Sequence, residues 1–167
     1  AGQGPLGFWT TDTIPADLQP RIEAGLNGRK LVDVSATLNA LLREKSPVAL
    51  KLSREACGVL AQAVEAMKDH FNGESGREAA TAAARMAADV GAQDSRILIS
   101  LSKGGTPTAI DYPEGGKLDP LLAYVAVRYA GYWAEGFITL TTMNHETVTR
   151  TQAALKAMLK IAKAGTR

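Results

Sequence analysis

Leu121–Leu140, LLAYVAVRYAGYWAEGFITL, is the stretch on which the fold turns. Two runs of alternating character, Leu122–Tyr129 and Trp133–Leu140, flank Ala130-Gly131-Tyr132, and period-2 alternation with a glycine between the runs predicts an antiparallel strand pair. Glu135 stands on the second, otherwise apolar run. Burying an unpaired carboxylate is costly, so this side chain needs either a partner or a chemical task. A structural pair with Arg128, a solvated edge position and a catalytic role are all compatible with its placement.

Working outward, Arg96–Ser102 reads as a further strand, followed by Lys103-Gly104-Gly105-Thr106-Pro107-Thr108. A lysine beside paired glycines invites a phosphate-loop reading, but neither GxxxxGK[ST] nor GxGxxG is present. The loop through Gly115-Gly116 reads instead as a wide connection between strands. Upstream the pattern turns helical. Ser46-Pro47 supplies an N-cap and a proline at the first helical position. Cys57, Leu60, Ala61, Val64, Met67 and Phe71 then recur at three- and four-residue spacing up to Gly73, and this stripe predicts Cys57 as a buried thiol. Ser75 and Glu78 have capping-box spacing before an alanine-rich helix that closes at Gly91. A last helix starts near Asn144, with Val148, Gln152, Leu155, Leu159 and Ala162 along one side and Lys156, Lys160 and Lys163 towards its end.

The first thirty residues carry more breakers than periodicity. Pro5–Trp9 could be a short strand, Thr13-Ile14-Pro15 opens a short helix through about Ala24, Lys30–Val34 is a second strand, and Ser35 is positioned to cap a helix carrying Leu38, Leu41 and Leu42.

Gly131-Tyr132-Trp133-Ala134-Glu135 resembles the Gly-Tyr-x-x-Asp turn of the creatinase/methionine aminopeptidase superfamily, the pita-bread fold, with glutamate for aspartate. Leu42-Arg43-Glu44-Lys45-Ser46-Pro47 is similar to that family's entry into its first long helix. Gly73–Glu78 and Val90-Gly91-Ala92 resemble the bounds of its second, and Ala153–Arg167 resembles the helix after its hairpin. The resemblance implies an α+β fold, about one half of a pita-bread domain, with an antiparallel sheet covered by helices. Residues 35–167 are then the first half, and residues 1–34 are the tail of a preceding N-terminal domain or a linker.

Family metallopeptidases hold two metal ions with two aspartates, a histidine and two glutamates, and a further histidine before the hairpin assists proton transfer. The first aspartate's position, eleven residues before Glu135, is Tyr124. A phenol is a poor ligand for a hard divalent cation at neutral pH. No histidine lies between Phe71 and Asn144; His70 and His145 sit at helix ends, away from the family's position. No metal ligand and no cofactor is therefore expected of this chain.

Composition narrows the classes further. At 167 residues, 46% hydrophobic and 22% charged, the chain has ordinary globular composition. A net charge of +2 without an aromatic-interleaved basic patch excludes nucleic acid as the expected partner. One cysteine excludes an intramolecular disulfide and any CxxC site. No run reaches the roughly 18 to 20 apolar residues of a membrane span, and a cytoplasmic setting is the expectation.

Two functions fit. One is part of a metal-independent hydrolase of C–N bonds, resembling creatinase or the Xaa-Pro peptidases and acting on a small amide or other nitrogenous compound. Glu135 is its candidate general acid/base or substrate-cation anchor, and Arg128, Tyr132 and Trp133 are its candidate substrate-binding residues. The other is a non-catalytic relative serving as a binding or assembly subunit. Half a sheet leaves an edge and an apolar surface exposed. The expected partner is the C-terminal half of the same fold, as a second chain or fragment, or a homo-oligomer mate.

Overall fold

The computed structural model describes residues 4–10, 13–100, 105–109 and 119–163, and the chain divides into two compact units, Ala1–Ala49 and Leu50–Arg167. In the first unit, β1 (Leu6–Phe8) and β2 (Leu31–Asp33) pair in parallel across the short helix α1 (Gln19–Gly25), and α2 (Ser35–Arg43) follows. Helix α1 starts later than Thr13-Ile14-Pro15 suggests and has Pro20 in its first turn. Ser35 does not cap α2: it is the first helical residue, and its hydroxyl accepts from the Thr10 N–H at 2.7 Å.

The long helix α3 (Pro47–Asp69) leads into the second unit, with Ser46 Oγ accepting from the Ala49 N–H at 3.1 Å as its N-cap. Asn72 Oδ1 then accepts from the Glu74 and Ser75 N–H groups, turning the chain into α4 (Gly76–Asp89). Ser75 Oγ caps α4 by accepting from the Glu78 N–H at 3.2 Å. A four-stranded antiparallel sheet follows in the order β4-β3-β5-β6, from β3 (Asp94–Ser100), β4 (Pro107–Ala109), β5 (Leu121–Tyr129) and β6 (Tyr132–Leu140). Helix α5 (Glu146–Ile161) ends the described chain. Strand β4 lies where the sequence predicts a loop; its three residues begin with a proline, tolerated at a strand's first position. Gly115-Gly116 lies outside the described residues.

One sheet face is closed by α3 and α4. Ala56, Val59, Ala63 and Met67 of α3 and Ala79, Ala80, Ala83 and Ala87 of α4 share a core with Ile97, Ile99, Leu121, Ala123, Val125, Val127, Ala134 and Leu140. Small side chains let α4 approach the strands. A Cβ on Gly76 would stand 3.0 Å from Leu121 Cδ2 and 3.1 Å from Ile99 Cδ1. This packing corrects the sequence reading of Cys57: the buried stripe runs through its neighbour Ala56, and Cys57 is exposed. Leu60, Val64 and Phe71 only flank the core.

The hairpin between β5 and β6 is a two-residue turn, Ala130 (φ 49°) and Gly131 (φ 84°), between the paired Tyr129 and Tyr132. Positive φ at both positions gives the twist that matches the strands. Gln93 pins the turn: its N–H donates to Arg128 O and its side-chain Oε1 accepts from the Gly131 N–H, both at 2.7 Å. This local clasp sets the register of everything on the opposite face.

Candidate functional site

The register places the side chains of the face opposite α3 and α4 in cross-strand rows. Asp94, Arg128 and Trp133 stand in one row, Arg96, Ala126 and Glu135 in the next, and Leu98, Tyr124 and Phe137 in the third. In the middle row the small Ala126 sits between two long charged side chains. The result is a hollow of about 370 Å³, floored by Ala126 and walled by Arg96, Tyr124, Trp133 and Glu135.

Within it, the Tyr124 hydroxyl donates a hydrogen bond to Glu135 Oε2. That bond, followed by desolvation and the nearby carboxylate charge, raises the phenol's pKa above its usual value and holds Tyr124 protonated. The guanidinium of Arg96 lies over the Trp133 ring, its Cζ 5.1 Å from the centroid, while Arg96 Nε is 4.0 Å from Asp94 Oδ2. Tyr124 and Phe137 contact each other at a centroid distance of 5.1 Å, tilted by 50°.

The expected site residues separate. Glu135 and Trp133 share the hollow. Arg128 is on the same face but one row away, and Glu135 is partnered by Tyr124, not by Arg128. Tyr132 lies on the opposite face, packed against the core. It stands three positions before Glu135, and odd spacing on a strand means opposite faces. Arg96 and Ala126 were missed because their relation to Glu135 is set by strand register.

The donor set of the hollow bears on metal ions of the kind held by the resembling family. A protonated phenol already bonded to the one carboxylate offers a hard cation a single anionic oxygen pair, so the residues do not fit such a site. Among the described residues no group of three or more His, Cys, Asp or Glu converges. His70 donates from Nδ1 to Ala66 O at 2.9 Å and so caps the end of α3.

A second polar cluster joins the start of β5 to the end of β6. Asp119 Oδ2 accepts from the Thr142 N–H at 3.0 Å and from the Thr142 hydroxyl. Hydrogen bonds from Thr141 and Thr142, with a smaller contribution from His145, lower the Asp119 pKa below the usual carboxylate value. This cluster lies beside Gly73 (φ 81°), whose missing Cβ would stand 3.4 Å from Asp119 Oδ2. Among the described residues no helix is long and apolar enough to cross a membrane.

No protein-family profile and no curated protein matches this chain. Solved structures do. An X-Pro aminopeptidase from Thermotoga maritima superposes with a TM-score of 0.73 at 16% identity over 98% of this chain and 49% of the enzyme. An Xaa-Pro dipeptidase from Bacillus anthracis gives 0.74 at 17% identity over 98% and 48%. A prolidase from Pyrococcus furiosus gives 0.65 at 15% identity over 92% and 47%. The chain thus spans about half the length of the structures it matches, and its fold is that of one half of a pita-bread domain, an antiparallel sheet packed with helices.

Proposed function

We propose that this chain is the first half of a pita-bread protein that binds a small ligand on the sheet face opposite α3 and α4, and that it is not a self-sufficient metallopeptidase. The observation that carries this reading is the Tyr124–Glu135 hydrogen bond. It stands where the resembling family has its two hairpin aspartates, and it uses the carboxylate to hold a phenol. The half comprises residues 35–167, following a tail or linker at 1–34, and a second segment of the same fold completes it. Trp133 and Phe137, 43% and 68% exposed on the face opposite α3 and α4, support closure by such a partner.

A second reading, metal-independent hydrolysis of a small amide with Glu135 as general acid/base, is favoured by the hollow beside that carboxylate. One assay separates the two. Purified protein is incubated with Xaa-Pro dipeptides and small amides, in EDTA or in Mn²⁺. The binding reading expects no turnover in either buffer. Hydrolysis stimulated by Mn²⁺ would overturn it, and metal-independent hydrolysis lost in Glu135→Gln would establish the second reading in its place.

A further inference from the structure

The two edges of the sheet are built differently. At one, β4 is only three residues long and opens on Pro107, both of which blunt an edge. At the other, β6 pairs with β5 without a bulge from Tyr132 to Leu140 and contains no proline, lysine or arginine. Which of its backbone groups face outward follows from β5. Arg128 O accepts from the Gln93 N–H, and the Leu122 N–H donates to Ser100 Oγ, so Arg128 and Leu122 direct their backbone groups towards β3. Their partners on β6, Trp133 and Thr139, therefore direct theirs away from β5, and by alternation so do Glu135 and Phe137 between them. Among the described residues no hydrogen bond engages these outward groups, and all four side chains are exposed.

We propose that this edge binds the same edge of a second copy of the chain, β6 antiparallel to β6, with Gly136 opposite the partner's Gly136 on the two-fold axis. The proposal rests on the reading above that a second segment completes this half, and it names that segment. In this register the edge is self-complementary. Trp133 stands opposite the partner's Thr139 and Glu135 opposite the partner's Phe137, so every outward residue exchanges two hydrogen bonds with its counterpart. Sliding the strands by two residues one way sets Glu135 against the partner's Glu135, a destabilising like-charge pair, and leaves Thr139 beyond the partner's strand. Sliding them the other way leaves Trp133 beyond it. The Tyr124 hydroxyl holds the Glu135 carboxylate towards β5, off the edge. On the core side Ala134 meets the partner's Ile138, an apolar pair, and no atom lies within 4 Å of a Cβ placed on Gly136, so the axis is free of obstruction. Apolar surface continues from the edge onto α5, whose Leu155 shares a recess with Phe137, Ile138 and Thr139, with Met158 and Leu159 exposed beyond it. The pairing also reaches the hollow. The partner's Phe137 extends the row of Arg96, Ala126 and Glu135, so each hollow gains a wall from the other copy.

The test is sedimentation equilibrium of the full chain, followed by a cysteine scan of the edge. A dimer is expected. Gly136→Cys, Glu135→Cys and Phe137→Cys are each made with Cys57→Ala, which removes the exposed native thiol, and are oxidised with diamide. Residues directly opposite each other in such a pair have Cα atoms about 4.5 Å apart, within disulfide reach, whereas diagonal neighbours stand about 7–8 Å apart, beyond it. Gly136→Cys should therefore crosslink into a covalent dimer while the other two stay largely uncrosslinked. Phe137→Pro removes one outward N–H from each copy and no bond to β5, so it should keep its circular dichroism and dimerise at least about ten-fold more weakly. A 17.6 kDa monomer at the highest soluble concentration would overturn the pairing. So would crosslinking through Glu135→Cys or Phe137→Cys in preference to Gly136→Cys, a folded Phe137→Pro dimer as tight as wild type, or a stoichiometric complex with a different polypeptide that blocks the Gly136→Cys crosslink. A monomer without Mn²⁺-stimulated hydrolysis overturns the pairing and leaves the binding reading standing, whereas such hydrolysis by a dimer overturns the binding reading and leaves the pairing standing.

Discussion

The hairpin turn makes a quantitative prediction, because its two residues pay different conformational costs for the same backbone geometry. Ala130 has φ 49° and Gly131 has φ 84°. An L-residue in the left-handed region costs roughly 1–2 kcal/mol, whereas glycine avoids that clash but loses about 0.5–1 kcal/mol more backbone entropy on folding. Ala130→Gly should therefore stabilise the protein by about 0.5–1 kcal/mol. Gly131→Ala should cost a similar amount by the same difference. No atom lies within 4 Å of a Cβ placed on Gly131, so sterics add nothing to that cost. At Gly73, φ is also positive, at 81°, but Thr142 Cγ2 would be 3.2 Å from the new Cβ. Gly73→Ala should accordingly be the more damaging of the two glycine substitutions. Urea denaturation followed by circular dichroism reads all three at constant m-value. A neutral or destabilising Ala130→Gly together with a neutral Gly131→Ala would refute the turn geometry, and with it the register that assembles the hollow.

Further outcomes follow from burial and charge. Met67 is fully buried, so Met67→Ala should lose about 2–5 kcal/mol, while the exposed Cys57→Ala should stay within about 0.5 kcal/mol in the same urea experiment. The Asp119 pKa is depressed in the folded state. Its contribution is present above the unfolded carboxylate pKa of about 3.9 and is lost as pH falls through the folded value. Asp119→Asn should therefore lower stability at neutral pH and narrow its gap to wild type in acid, and a constant gap from pH 7 to pH 2.5 would contradict this. The Tyr124 pKa is raised, so its stabilising contribution is present below the ordinary phenol pKa and disappears as pH rises through the folded value. An ultraviolet phenolate titration should show this tyrosine ionising late, and Glu135→Gln should shift it earlier.

The hairpin was legible because alternation is a local property, and the same local character made the caps at Ser46 and Ser75 readable. The face of α3 was not. Its side towards the core carries Ala56 and Ala63, buried in the same cluster as the alanines of α4, whereas the larger Leu60 and Val64 only flank that cluster. Tyr132 faces away from Glu135, as strand parity alone requires. Arg96 could not be found from spacing, since its position beside Glu135 depends on two strand registers and on Gln93 pinning the turn. Tyr124 was visible as a departure from the family pattern, but its role as partner to Glu135 emerged only from the paired strands.

The most direct test is a crystal structure of the protein grown with Mn²⁺, with anomalous data collected at the manganese edge. The expected result is Tyr124 Oη hydrogen-bonded to Glu135 and no anomalous peak within coordination distance of either side chain. A manganese ion bound to Glu135, with Tyr124 turned away or coordinating it, would contradict the claim that a phenol–carboxylate pair has taken the metal's place.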